Sequence, residues 1–367
     1  MLSNHYNLSG SRKYRVGVVG SGNSAHALSA WLSSQGHTVN MYARNIEKLD
    51  HVRKAGAIVS TGKLEGTFPV ASVTNSPKEL CGASQVIFVA TLATAYSDVA
   101  RQLAPWMTSD HFVVLFSGKL CGSLEMTNAF LKLGKQVPVL ETDAIFACRL
   151  QENGSIWIRG QKQWTLYSGI DQTSTAEYGA VIRRFFPYLE PAKNLIQRGL
   201  TDFGAFAHPV ITVANMSKID RGEAFLFYYE GMSERTVALL ESVEIEFRAV
   251  AKAYGVELIP MKDLLNRYYG CDTTSLFSAM TSVPNYRDSA APASLNHRYL
   301  NEDVHCTLIP FQELARKARV SVPTVDAVIQ FTSLISKSNG ADLRPRSLDI
   351  LGWSSLSCEG ITERMRA

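Results

Sequence analysis

YRVGVVGSGNSAHALSAWL, residues 14–32, runs from an apolar strand through a glycine turn into a helix. Within it, Gly20-Ser21-Gly22-Asn23-Ser24-Ala25 spells GxGxxA. Gly20 allows a tight turn, Gly22 lets the backbone approach a pyrophosphate, and Ala25 lets helix and strand pack closely. The free N–H groups at the start of the helix then face the phosphates. Taken alone, the pattern also fits an ordinary turn in an α/β protein. Its place directly after a strand, with a second strand about twenty residues on, selects the dinucleotide-binding reading.

Working outward, the alternation of strand and helix continues. Strands are expected at 15–19, 38–42, 86–90 and 112–116, and helices at 23–35 and 46–55. Short, continuously apolar strands between helices indicate a parallel sheet covered on both faces. The runs at 137–140, 155–158 and 164–167 are expected to extend that sheet. Small residues close the later strands, and Ala90, Thr91 and Gly118 there are assigned to the cofactor site.

Near residue 195 the character changes to helical. Ser233 precedes a run with apolar Val237, Leu240, Val243, Phe247, Val250 and Ala251, one buried helix face. Residues 285–294 read as a loop, and another helix follows from about Glu302. The expected fold class is therefore α/β: an N-terminal Rossmann domain with a parallel sheet over 1–195, then an all-helical domain over 196–367. The helical half lacks a second strand–glycine–helix unit.

The end of the second strand bears on the cofactor. An NAD enzyme usually places Asp or Glu there for the ribose 2′-OH. Here the strand runs into Ala43-Arg44-Asn45, with no carboxylate before Glu47. An acid would repel a 2′-phosphate, whereas Arg44 would pair with it. NADPH is expected over NADH, although Arg44 also reads as a solvated surface residue.

Composition narrows the class. The 367 residues suit two domains, with 46% hydrophobic and 19% charged residues. A formal net charge of +4 gives no reason to invoke nucleic acid or a membrane surface. The six cysteines form no CxxC pair and no zinc spacing with histidine, as expected of reduced thiols in a cytoplasmic protein. The opening MLSNHYNLSGSRKY lacks the apolar run of a signal peptide. Residues 80–97 are too polar to span a bilayer and read as a buried strand leading into a helix. A homodimer is compatible with all of this.

Five further segments carry a resemblance: ETDAIFACR (141–149), AHPVITVANMSKID (207–220), FYYEGMSERTVALLE (227–241), NYRDSAAPASLNHRYLNEDV (285–304) and LGWSSLSCEGI (351–361). Together with the glycine loop they resemble the opine dehydrogenases, in the same order over nearly the whole chain. The resemblance implies a Rossmann domain followed by a helical substrate domain. It also implies reduction of the imine between an amino acid and a 2-keto acid.

His208 precedes Pro209, which fits the start or a kink of a helix. The family's His-Pro motif makes His208 catalytic and pairs it with Asp303, in place of a plain first-turn acid. A carboxylate beside the imidazole is expected to fix its tautomer and favour the charged form. Arg298 is expected to clamp a substrate carboxylate, its alternative being an ion pair with Glu302 or Asp303. Tyr299 is expected to line the same pocket.

One position departs from the family. Asn commonly stands four residues before the catalytic His, and here Gly204 does. Glycine offers no side-chain donor or acceptor. Either water or Asp202 substitutes, or the substrate differs, with a roomier amine side. A ketone or cyclic-imine reductase therefore stays open as an alternative, and behind it a non-catalytic NADP-binding sensor.

Overall fold

The computed structural model describes residues 13–335 and 344–366. The leader reading of the first residues lies mostly outside the described part. The chain divides into two compact units. One comprises residues 1–91, 95–118 and 123–191; the other comprises 92–94, 119–122 and 192–367.

Among the described residues the first unit has twelve strands: β1 (Arg15–Val19), β2 (Thr38–Tyr42), β3 (Ala57–Gly62), β4 (Gly66–Pro69), β5 (Ser72–Thr74), β6 (Val86–Val89), β7 (Phe112–Phe116), β8 (Val139–Thr142), β9 (Phe146–Leu150), β10 (Ile156–Gln161), β11 (Thr165–Ser168) and β12 (Leu189–Pro191). Eight form one sheet in the order β12-β11-β8-β7-β6-β1-β2-β5. All neighbours are parallel except β8 and β11, which are antiparallel. Strands β6 and β7 are buried along their whole length, because helices cover both faces. Strand β1 has β2 on one side and β6 on the other, the point where strand order reverses. In such sheets ligands bind beyond the carboxyl ends at that point.

Two expectations, one about the sheet and one about a helix, need correction. Residues 155–158 do not extend it. They belong to β10, in a separate four-stranded sheet of order β4-β3-β10-β9. The strands of that sheet are short and partly exposed, with Val59 47% accessible, so their apolar signal is weak. The expected helix over 46–55 is a 3-10 turn (Ile46–Leu49) followed by a helix (Asp50–Ala55).

In the second unit the long helix is Glu234–Ala253. Ser233 caps it by accepting from Thr236 N–H at 3.2 Å. Its buried face includes Val237, Leu240, Val243, Phe247, Val250 and Ala251, as the spacing predicts. Phe247 packs between Phe206 (centroids 4.9 Å) and Phe311 (4.1 Å), which fixes it against two further helices, Phe203–Ala214 and Ile309–Ala318. The helix expected from Glu302 is broken into a short helix Arg298–Asn301, a π turn Val304–Leu308 and then Ile309–Ala318. Pro310 has no N–H, so it cannot bond the carbonyl of Cys306 four residues earlier. Among the described residues no helix is long and apolar enough to cross a membrane, and the six cysteines form no disulfide.

Candidate active site

The glycine loop in the first unit has the features a dinucleotide needs. Gly20 has φ +139°, and a Cβ there would lie 2.7 Å from the Ala90 carbonyl oxygen. Any other residue would be strained and would push β1 and β6 apart. At Gly22 a Cβ would meet nothing within 4 Å. The following helix, Asn23–Ser34, has no side-chain cap at its N-terminus, so its first N–H groups remain available. The Asn23 side chain itself accepts from Leu150 N–H at 2.9 Å and serves packing. Ala25 is buried, while Ser21 and Ser24 are half-buried beside the turn. Ala90, Thr91 and Gly118 follow β6 and β7, which adjoin β1 on one side. Gly118 has a packing reason of its own, since a Cβ there would stand 2.5 Å from that of Glu141. Arg44 is exposed at the end of β2 and makes no hydrogen bond or ion pair among the described residues. Asn45 beside it is used locally, accepting from Glu47 N–H at 3.0 Å.

His208 and Asp303 meet in the second unit. Helix Phe203–Ala214 carries His208, and Asp303 immediately precedes the π turn. The distance from His208 Nδ1 to Asp303 Oδ2 is 2.8 Å, and from Nε2 to the Tyr228 hydroxyl 2.9 Å. The Tyr299 ring stacks on the imidazole, with centroids 3.9 Å apart and planes inclined by 17°. His208 lies inside its helix rather than at the start, and Pro209 is an interior proline.

Lys119 completes this cluster. Its Nζ lies 2.7 Å from Asp303 Oδ1 and 3.3 Å from Asp202 Oδ2. All three side chains are almost fully buried. A lone buried ammonium or carboxylate would cost on the order of several kcal/mol, so these charges are viable only as a group. Asp202 also caps helix Phe203–Ala214 by accepting from Ala205 N–H at 3.2 Å. It is therefore committed to Lys119 and the cap, and does not stand in for the missing Asn.

The protonation states follow. Burial alone would raise the Asp303 carboxyl, but the Lys119 charge and then the His208 bond outweigh it and hold it below the usual range. An ionised carboxylate only accepts, so the neutral ring carries its proton on Nδ1. Nε2 is then an acceptor, filled by the Tyr228 hydroxyl. Asp303 favours the charged imidazole, as expected, but it does not prevail. Burial pushes the imidazole down, Asp303 pulls it up, and Arg298 and Lys119 push it down again, with a net lowering. The carboxylate is shared with an ammonium, so its pull on the imidazole is divided.

Arg298 heads the short helix behind Tyr299. Its guanidinium is 5.3 Å from the centre of that ring and only loosely paired to Glu302, at 3.5 Å, with the side chain 47% exposed. Glu302 is engaged elsewhere, accepting from Ala93 N–H at 2.7 Å. Arg298 thus retains donors for a carboxylate, and Asp303 is not its partner.

Gly204 is explained differently from the expectation. A Cβ there would lie 2.9 Å from His208 Cε1. The space is filled by the imidazole, not left for substrate. The ring is held by two hydrogen bonds and a stacked tyrosine, so it cannot yield without loss of one of them. Gly204→Ala is expected to displace His208 and lower kcat about tenfold with cofactor affinity unchanged, a fraction of what general acid–base catalysis supplies. Steady-state kinetics beside NADPH titration checks this, and an unchanged kcat would count against it.

Sequence reasoning missed two members of the cluster. Tyr228 lies in the quoted FYYEG segment but carried no assigned role. Lys119 gave one local signal: it stands between Gly118 and Gly122, just past a parallel strand.

Comparison with known proteins agrees with this architecture. Residues 191–336 match the family described as NAD/NADP octopine/nopaline dehydrogenase, alpha-helical domain. Residues 16–168 match ketopantoate reductase PanE/ApbA. An opine dehydrogenase of Arthrobacter sp. (strain 1C) is 28% identical over 349 residues, covering 94% of this chain and 96% of that protein. A structure of octopine dehydrogenase with NADH and L-arginine superposes with TM-score 0.75 at 21% identity, over 95% of this chain and 98% of the other. A yersinopine dehydrogenase structure with NADP+ bound gives 0.68 at 17% identity, over 96% and 98%. The match to that helical domain, and similarity along nearly the whole chain to an opine dehydrogenase, support placing this chain with the opine dehydrogenases.

Proposed function

We propose that the protein condenses an amino acid with a 2-keto acid and reduces the resulting imine to a secondary amine, using NADPH in preference to NADH. The observation that carries this reading is the buried His208–Asp303 pair, 2.8 Å apart, with the Tyr299 ring stacked on His208 and the Arg298 guanidinium 5.3 Å from the centre of that ring. The cofactor fits the residues present: Gly20 and Gly22 with the uncapped helix would hold its pyrophosphate, and Arg44 its 2′-phosphate. Bound nicotinamide supplies the hydride for the imine carbon. Arg298 grips the carboxylate of the keto acid. His208 takes a proton from the attacking amine and returns one to the departing water, through Nε2. Asp303 accepts from Nδ1–H and holds that tautomer. Tyr228 donates to Nε2 in the free protein and lies at the point of proton exchange.

Consumption of NADPH with amino acids set against pyruvate, glyoxylate and 2-oxoglutarate tests the function. Oxidation should require both partners together. The cofactor preference has its own test. A charge-assisted phosphate contact is worth about 1.5–3 kcal/mol. Arg44→Asp should therefore weaken use of NADPH at least about tenfold and spare NADH. Equal use of the two cofactors by the unaltered protein would sink this part.

A further inference from the structure

The loop after β7 is built at a cost and held with care. Three non-glycine residues among those described have positive φ, and two are in this loop: Lys119 (56°) and Cys121 (64°). Left-handed backbone at residues with a Cβ persists only where the surroundings over-determine it. Here they do. The buried Arg198 guanidinium donates to the Lys119 carbonyl, and Arg346 Nη1 donates to the Leu120 carbonyl at 2.9 Å. Leu120 N–H donates to the Cys306 carbonyl at 3.2 Å, and Arg346 Nη1 reaches that same oxygen at 3.1 Å. That carbonyl is available because Pro310 cannot bond it. The π turn beside Asp303 and the loop carrying Lys119 are thus tied at one atom. The ammonium is delivered to the Asp303 oxygen that His208 does not use.

We propose that Lys119 is a positioning residue for proton transfer at His208, setting the protonation of the imidazole through Asp303, with Asp202 tuning how much of its charge Asp303 feels. The proposal rests on reading His208 and Asp303 as the proton-transfer pair. With Lys119 present, Asp303 stays ionised, accepts a hydrogen bond from Nδ1–H and so keeps the basic lone pair on Nε2, the atom to which the Tyr228 hydroxyl donates. The same cation offsets part of the pull of Asp303 on an imidazolium, so a proton taken up by His208 is readily given back. Other groups face the imidazole: Tyr228 on Nε2, Tyr299 on its face, and Arg298 with the cap residue His297 beyond. Arg298 also repels an imidazolium, and His297 is held neutral with its pKa lowered to about 4, burial being the first cause. Facing Lys119 are Asp202, Asp303, the more distant Glu302 and Arg298. Among these only Lys119 touches the dyad carboxylate as a cation.

The test is an NMR titration of His208 in the full-length protein, labelled with 13Cε1-histidine and assigned through His208→Asn. Lys119→Met removes the charge at similar length and should raise the His208 midpoint by about one pH unit or more. Lys119→Arg keeps the charge and should leave it near the wild-type value. Asp202→Asn preserves the helix cap while returning the full Lys119 charge to Asp303, so the midpoint should fall. An unmoved midpoint in folded Lys119→Met, or Lys119→Arg behaving as Lys119→Met, overturns the proposal. Should Lys119→Met not fold, Asp202→Asn decides: a midpoint that rises or stays refutes it. Because the titration needs no turnover, it separates this proposal from the catalytic reading. Full activity in His208→Ala would refute that reading alone.

Discussion

His208→Ala is expected to lose about 10²- to 10⁴-fold in kcat, the range general acid–base catalysis supplies. NADPH affinity should be nearly unchanged, because His208 belongs to the helical unit and the glycine loop to the other. An imidazole can take up and release a proton in turn, which the two proton transfers require. Burial keeps it neutral, and an ionised Asp303 keeps its proton on Nδ1. Asp303→Asn should cost less. The amide can still partner Nδ1, but it no longer dictates the tautomer, and Lys119 retains Asp202 as its counter-charge. Rates from stopped-flow NADPH oxidation measure both variants. More than about half of the wild-type rate in His208→Ala would show that the dyad does not carry the proton transfer.

Arg298→Ala is expected to raise the keto-acid requirement on the order of 10²-fold, with a smaller effect on cofactor binding. The side chain is half exposed and only loosely held by Glu302, at 3.5 Å, so that pair contributes little to stability. A bound carboxylate changes this. Two charge-assisted bonds then form away from water, and their loss costs about 2–5 kcal/mol. The KM for the keto acid should carry most of the change. Equal turnover of a ketone lacking its carboxylate would contradict the assignment.

The fold was largely legible because its deciding features are local. The bounds of β1 and β7 follow from apolar runs closed by Gly20 and Ser117, and the buried face of Glu234–Ala253 follows from its period. The four-stranded sheet was not legible. Its strands are short and partly exposed, and the pairing of β3 with β10 that joins its two hairpins links residues about a hundred positions apart. The site was legible where a motif marks it, at Gly20, Gly22, His208 and Asp303. Lys119 was not, since nothing near it in sequence announces two carboxylates arriving from residues 202 and 303. The net shift at His208 was not legible for a related reason: sequence displays the neighbouring acid but not the burial that outweighs it. Gly204 teaches the same lesson, because only packing reveals that the imidazole fills the place of its side chain.

Mass spectrometry of the product formed while NADPH is oxidised tests the central claim most directly. With an amino acid and a 2-keto acid both present, the account predicts one new compound. Its mass should equal the sum of the two substrates less water plus two hydrogens, and none should form when either is omitted. A 2-hydroxy acid formed from the keto acid alone, at the same rate with or without the amino acid, would contradict it.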